Sequence, residues 1–376
     1  MKKILLSCLM STSLLLVACQ SESDTSQETS GAEETTTEQV SESAEESTSG
    51  ETSSEEESSE TSSEASTGAT IKTSYSAPHG DQSFAVTYVV MNGDTIQDVV
   101  LDEFQYLSGE EATGVPNSDA TFGEGSVEDV TLSSKIQNDA LYSEMMSQAG
   151  STVSYADNIA SIEDFAKGKT VEELETAIED LNGLGEGDSV SDVVSGATLT
   201  DTSGYLQSIV DTANEGYEFS GVEEADLANA ELSYSLAAPH GDQSFATVGV
   251  LSDGETVLAA SVDEFQYLDP AEFEGVPNSD GALSENFGEG TVLGSKMQND
   301  EAYSAMMSQA GSTTSYAENM NAVIDYAEGK TAEEIEAGIE ELNGLGEGDS
   351  VSDVVSGATF VDTAGYLQAI VDTLNN

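Results

Sequence analysis

The sequence predicts an α+β fold: two tandem domains, each a mainly antiparallel sheet with packed helices, following an acidic tether. Three observations point there. Distinctive segments recur at one constant offset, which maps His79 onto His240, Lys135 onto Lys296 and Thr198 onto Thr359. Within each copy β-rich runs come first and helix-periodic runs follow, the order of an α+β domain rather than of alternating units. Ahead of both copies lies a long run of Ser, Thr and Glu with almost nothing apolar to bury.

Residues 1–18 read as a lipoprotein signal peptide, with Lys2 and Lys3, an apolar run through Leu14-Leu15-Leu16-Val17, and then Ala18-Cys19. The apolar run is too short to span a bilayer. Leu16-Val17-Ala18-Cys19 is similar to a lipobox, in which Cys19 receives the lipid and becomes the mature N-terminus; the alternative is an ordinary cleaved signal. Cys8 would leave with the signal, which excludes disulfides, Cys-ligated metals and thiol catalysis in the mature chain. Residues 19–68 are expected to be a disordered tether, extended by the mutual repulsion of its carboxylates.

The first domain is expected over 69–214 and the second over 230–376, with an acidic connector at 215–229. Each opens with Ala-Pro-His-Gly-Asp-Gln-Ser-Phe, at Ala77 to Phe84 and Ala238 to Phe245. Asn92-Gly93 and Asp253-Gly254 predict hairpins, because these pairs accept the positive φ of a tight turn. The second strand of each hairpin ends in Asp-Glu-Phe-Gln-Tyr-Leu. Ile159, Ile162 and Phe165 lie at helical spacing. Thr170-Val171-Glu172-Glu173 and Thr331-Ala332-Glu333-Glu334 are capping boxes opening further helices, whose apolar stripes are Leu174, Ile178, Leu181 and Ile335, Ile339, Leu342. Gly183 and Gly344 stop them.

The chain has 73 acidic residues against 8 lysines and a formal net charge of −65, which argues against nucleic acid as a partner. No spaced cation-ligand set such as an EF-hand loop is present. The repeated chemistry lies in Asp192-Val193-Val194-Ser195-Gly196-Ala197-Thr198 and Asp353-Val354-Val355-Ser356-Gly357-Ala358-Thr359. Small residues ahead of the Thr leave its hydroxyl approachable, and the helix-like stretch that follows offers an N-terminus where an anion is favoured.

These seven residues resemble the flavinylation signature of FMN-binding domains. With His-Gly-Asp-Gln-Ser-Phe, Gly-Val-Pro-Asn-Ser-Asp and Ser-Lys-x-Gln-Asn-Asp, the mature chain resembles the doubly flavinylated peptide-pheromone lipoproteins of Gram-positive extracellular electron transfer. The resemblance implies two FMN groups joined by a flavin transferase through phosphoesters to Thr198 and Thr359. It also implies an electron-transfer flavoprotein rather than an enzyme with its own substrate, lipid-anchored on the outer face of the cytoplasmic membrane and extending into the cell wall. Its electrons would come from a quinone-linked membrane chain and pass to acceptors such as ferric iron. The discarded signal would be a pheromone source.

Asp192, Ser195, Gly196 and Ala197, with Asp353, Ser356, Gly357 and Ala358, are then expected to shape the loop or be recognised by the transferase. Lys135 and Lys296 either face the N1 and C2 carbonyl side of the flavin or pair with a nearby acid. His79 and His240 either serve a ligand or belong to a turn. Phe122, Phe287, Tyr142 and Tyr303 are candidates for ring stacking or for the core, and Met145-Met146 and Met306-Met307 for helix packing. A second function class stays open: a ligand-binding or sensing surface lipoprotein whose loops bind a soluble anion without covalent flavin.

Overall fold

A computed structural model describes residues 68–376 apart from 224 and 310. The expected signal peptide, the expected lipidation site at Cys19 and nearly all of the expected tether lie outside the described residues. The first repeat contains β1 (Thr70–Ser76), β2 (Ser83–Asn92), β3 (Thr95–Ser108), β4 (Val130–Ser134), α1 (Asp139–Gln148), α2 (Tyr155–Ala166), α3 (Val171–Asn182) and α4 (Thr202–Glu215). β5 (Tyr217–Ser220) follows. The second repeats the pattern as β6 (Glu231–Ala237), β7 (Ser244–Ser252), β8 (Val257–Leu268), β9 (Val292–Ser295), α5 (Asp300–Gln309), α6 (Tyr316–Ala327), α7 (Ala332–Asn343) and α8 (Thr363–Leu374). The fold is α+β with two antiparallel sheets, ordered β4-β3-β2-β1-β5 and β6-β7-β8-β9.

Strand alternation explains the layers. Phe84, Val86, Tyr88 and Val90 of β2 join the core shared with the second repeat, whereas Val89, on the other face, packs with α2, α3 and α4. β2 is therefore covered on both sides, and it reads as a continuous apolar run. The two sheets face each other and each carries its helices outside. At the centre Phe84 stacks on Phe104 at 5.2 Å and Phe245 on Phe265 at 5.1 Å, with Phe84–Phe265 and Phe104–Phe245 each at 5.8 Å. All four rings are fully buried, each stabilising by ~1.5–3 kcal/mol relative to exposure.

Equivalent positions meet along this interface, as two-fold pseudosymmetry requires. The Tyr106 and Tyr267 hydroxyls are 2.6 Å apart, and Ser126 bridges to Phe287. The corresponding Asp102 and Asp263 each take a bond across the interface from non-corresponding tyrosines: the Tyr234 hydroxyl donates to Asp102 at 3.1 Å, and that of Tyr75 donates to Asp263. Both repeats belong to one compact unit. The segment read as a connector contributes to it: β5 pairs with β1, and Val222 N–H donates to Leu258 O at 2.9 Å.

Both capping boxes form, and both helices end at the Asn before the expected Gly. The first hairpin differs by one residue. Asn92 pairs with Thr95, so the loop is Gly93-Asp94 and the positive φ, 60°, falls on Gly93. In the second, Ser252 pairs with Val257, and Asp253 Oδ1 accepts from the N–H groups of Glu255 and Thr256 at 3.0 and 2.7 Å. Phe122 and Phe287 are buried between the repeats, where Phe122 contacts Phe245 and Tyr267, so they belong to the core and not to a stacking surface. Of the methionine pairs only Met146 and Met307 pack; Met145 and Met306 are exposed.

Candidate functional site

The Ser-Gly-Ala-Thr segment is pinned from below. Val190–Asp192 forms one 3-10 turn, closed by Asp192 Oδ2 accepting from Ser189 N–H at 2.9 Å; Asp353 does the same for Ser350 at 2.9 Å. Both aspartates are exposed and shape the loop. Val194 and Ala197 are fully buried, as are Val355 and Ala358, which turns Ser195, Ser356, Thr198 and Thr359 outward. Gly196 and Gly357 lie between these anchors at φ 95° and 90°, which other residues rarely adopt. A Cβ at Gly196 would come within 2.5 Å of Ser161 Oγ, and one at Gly357 within 3.3 Å of Ala322 Cβ.

Each Thr meets a buried Asn that sequence reasoning missed. Asn158 Oδ1 accepts from Thr198 N–H at 2.6 Å and from its hydroxyl at 3.1 Å; Asn319 Oδ1 accepts from Thr359 at 2.6 and 2.9 Å. The amide ends donate to Ser154 O at 2.7 Å and Ser315 O at 2.8 Å. Asn158 and Asn319 lie on α2 and α6, both fully buried. Forty residues separate partner from partner, so no local pattern signals the contact.

One turn away on α2, Tyr155 reaches the buried charge of Glu103. That carboxylate accepts from Tyr155 at 3.1 Å and Tyr205 at 2.5 Å, accepts from Ser83, and lies 2.9 Å from Lys135 Nζ. In the second repeat Glu264 accepts from Lys296 Nζ at 2.6 Å, Tyr366 at 2.7 Å and Ser244 at 3.0 Å. Burial pushes the Tyr155, Tyr205 and Tyr366 hydroxyls up, and the adjacent glutamate pushes them further, so they stay protonated donors. Burial opposes the Lys296 charge, but attraction to Glu264 outweighs it and holds the ammonium above its ordinary value.

Lys135 and Lys296 are therefore core ion pairs. Their exposures are 0% and 1%, and Tyr142 and Tyr303 lie over the ammonium groups at 4.6 and 4.9 Å. The flavin-facing expectation gives way to the pairing one, since each charge is already neutralised and closed off. Tyr142 and Tyr303 also pack edge-on against Tyr155 and Tyr316, at 5.1 and 5.6 Å. Lys169 Nζ instead serves a helix end, donating to Phe165 O at 2.5 Å.

The histidines do join the site. His79 Nδ1 lies 2.8 Å from Asp201 Oδ2, and His240 Nδ1 2.9 Å from Asp362 Oδ2. These aspartates lie three positions after the threonines and immediately precede α4 and α8. An aspartate therefore stands at each helix N-terminus, its carboxylate turned to the histidine rather than bonded to the helix N–H groups. What the threonines do have is an outward hydroxyl on a fixed loop. A phosphoester fits there: esterification removes the hydroxyl donor, yet the Asn keeps its bond to the Thr N–H.

One cleft, of about 690 Å³, lies along Gly109 to Asp119 and Asp129 to Thr131 and contains none of the predicted site residues. Glu110, Asp119 and Asp129 make it unsuited to a phosphate. Among the described residues no cluster of His, Cys, Asp and Glu could hold a metal ion, and no helix is long and apolar enough to cross a membrane. No family model, curated protein or solved structure matches the chain.

Proposed function

We propose that this chain is an electron-transfer flavoprotein carrying two covalent FMN groups, one on Thr198 and one on Thr359. The observation that carries the reading is the duplicated threonine geometry: two exposed hydroxyls, each on a glycine-turned loop and each backed by a buried Asn. Attachment forms a Thr Oγ–P bond. It needs an activated flavin nucleotide and a flavin transferase, with the donor's leaving group expelled and the hydroxyl proton passed to a base.

When bound, FMN supplies the redox chemistry. The chain's own residues hold it by the ester, fix the loop through Asn158 and Asn319, and surround it with carboxylates that disfavour added negative charge. Lys135 and Lys296 do not offset that field, since they are spent on Glu103 and Glu264. In this reading Cys19 carries the lipid, the acidic segment lets both FMN domains range above the membrane, and electrons pass from quinone-linked donors to acceptors such as ferric iron. The lipobox-like segment and the Ser, Thr and Glu composition support that placement.

Intact-mass measurement with visible absorption tests the reading, on chain co-expressed with the transferase. Two FMN adducts per chain are expected. An unmodified chain with a dissociable anion in its loops would favour a ligand-binding lipoprotein instead.

A further inference from the structure

The Thr loops are not supported by their own repeats alone. Asn278 of the second repeat donates through Nδ2 to Gly80 O at 2.9 Å and Ser83 O at 2.7 Å, both in the first repeat. Asn117 of the first repeat donates to Gly241 O at 2.9 Å and Ser244 O at 2.7 Å in the second. Backbone bonds reinforce each crossing: Leu283 N–H to Asp81 O and Phe122 N–H to Asp242 O, both 2.8 Å. Each pair of bonds grips the His-Gly-Asp loop of the opposite repeat.

That gripped loop rests on the start of the helix that follows the Thr. His79 pairs with Asp201, and Gly204 sits so close to Pro78 that a Cβ there would come within 2.5 Å of its carbonyl oxygen. His240, Asp362, Gly365 and Pro239 repeat this, with a Cβ at Gly365 reaching 2.3 Å. A continuous path of contacts thus runs from Asn278 to the segment after Thr198, and from Asn117 to the segment after Thr359. Asn117 and Asn278 themselves hold φ of 64° and 67°, a region that Asn enters more readily than most residues. Their backbone conformation aims the amide across the interface.

We propose that Asn117 and Asn278 are crosswise positioning residues, each holding the opposite repeat's His-Gly-Asp loop against the start of the helix that follows that repeat's attachment threonine. Neither Thr site is then complete within one repeat. This rests on the covalent FMN reading for what the sites do, but the wiring can be read without it. The chain contains two histidines, one at each gripped loop, so their ring signals in an NMR spectrum report the two loops separately.

The test uses the full chain with Asn278→Gly and Asn117→Gly, which keep the left-handed backbone accessible and remove only the donors. Asn278→Asp is a second variant, setting a carboxylate against two carbonyl oxygens. Asn278→Gly is expected to move the His79 signal and leave His240 in place; Asn117→Gly is expected to do the reverse. With the transferase and its flavin nucleotide donor present, Asn278→Gly should slow modification of Thr198 about tenfold relative to Thr359, as expected where two neutral hydrogen bonds hold a loop.

A shift confined to the histidine of the substituted repeat, equal shifts of both, or no shift overturns the wiring. A crosswise shift with unchanged Thr198 modification overturns the claim that the loop completes the site. Failure of the unsubstituted chain to take flavin removes the covalent reading, and the histidine signals still decide the wiring.

Discussion

Asn158 Oδ1 takes two hydrogen bonds from one residue, Thr198, through its backbone N–H at 2.6 Å and its hydroxyl at 3.1 Å. Asn319 and Thr359 repeat the arrangement. Removing the carboxamide leaves the Thr198 N–H without its acceptor and frees the loop. Asn158→Ala is expected to cost about 1–3 kcal/mol and to reduce flavin incorporation at Thr198 while sparing Thr359. Urea unfolding and mass mapping of the modified peptides check both parts; equal loss at both threonines would contradict the local role.

The glycine before each Ala-Thr pair is a separate constraint. Gly196→Ala adds ~1–2 kcal/mol of left-handed strain together with a Cβ 2.5 Å from Ser161 Oγ. Gly357→Ala meets only Ala322 Cβ at 3.3 Å. The first substitution should therefore destabilise more than the second. Comparing both in denaturant melts, with Ser161→Ala as partner to Gly196→Ala, separates clash from strain.

Lys135 has no exposed surface and sits 2.9 Å from Glu103. Lys135→Met leaves that carboxylate uncompensated and is expected to destabilise by about 3–5 kcal/mol. Adding Glu103→Leu should restore only part of the loss, because the hydroxyls of Ser83, Tyr155 and Tyr205 then lose their acceptor. Denaturant unfolding of the single and double variants decides. A change in flavin midpoint potential with unaltered stability would return Lys135 to a flavin-facing role.

Burial pushes Asp102 from its ordinary 3.8 up to about 7, despite bonds from Ser134 and Tyr234, and pushes Asp263 up to about 6. Both sit between the repeats. A carboxyl whose native value exceeds its unfolded one binds its proton more tightly when folded, so its contribution is complete below pH 3.8 and is lost as pH rises through about 6 to 7. The chain should be more stable at pH 5 than at pH 8, a difference measured in high salt to screen general repulsion. Asp102→Asn, which mimics the protonated side chain, should flatten this slope; an unchanged slope would remove Asp102 from the account.

Local signals carried much of the fold and little of the site's support. Thr170 with Glu173, and Thr331 with Glu334, wrote their helix starts within four residues, and the stripes of Leu174, Ile178 and Leu181 wrote their buried face. The Thr loops were legible for the same reason, being seven contiguous residues. Asn158, Glu103 as the partner of Lys135, and the face-to-face packing of the sheets were not, because each joins residues 32 or more positions apart. Asp102 shows the limit well. In sequence it is one more acid in an acidic chain, and the bonds it takes from Ser134 and from the second repeat's Tyr234 make its burial intelligible.

The central claim is that two threonines each carry one FMN. Intact mass of Thr198→Ala, Thr359→Ala and the double variant, each co-expressed with the flavin transferase, tests it most directly. One adduct is expected in each single variant and none in the double variant, with the visible flavin absorption falling in step. Two covalent flavins surviving in the double alanine protein would contradict the account.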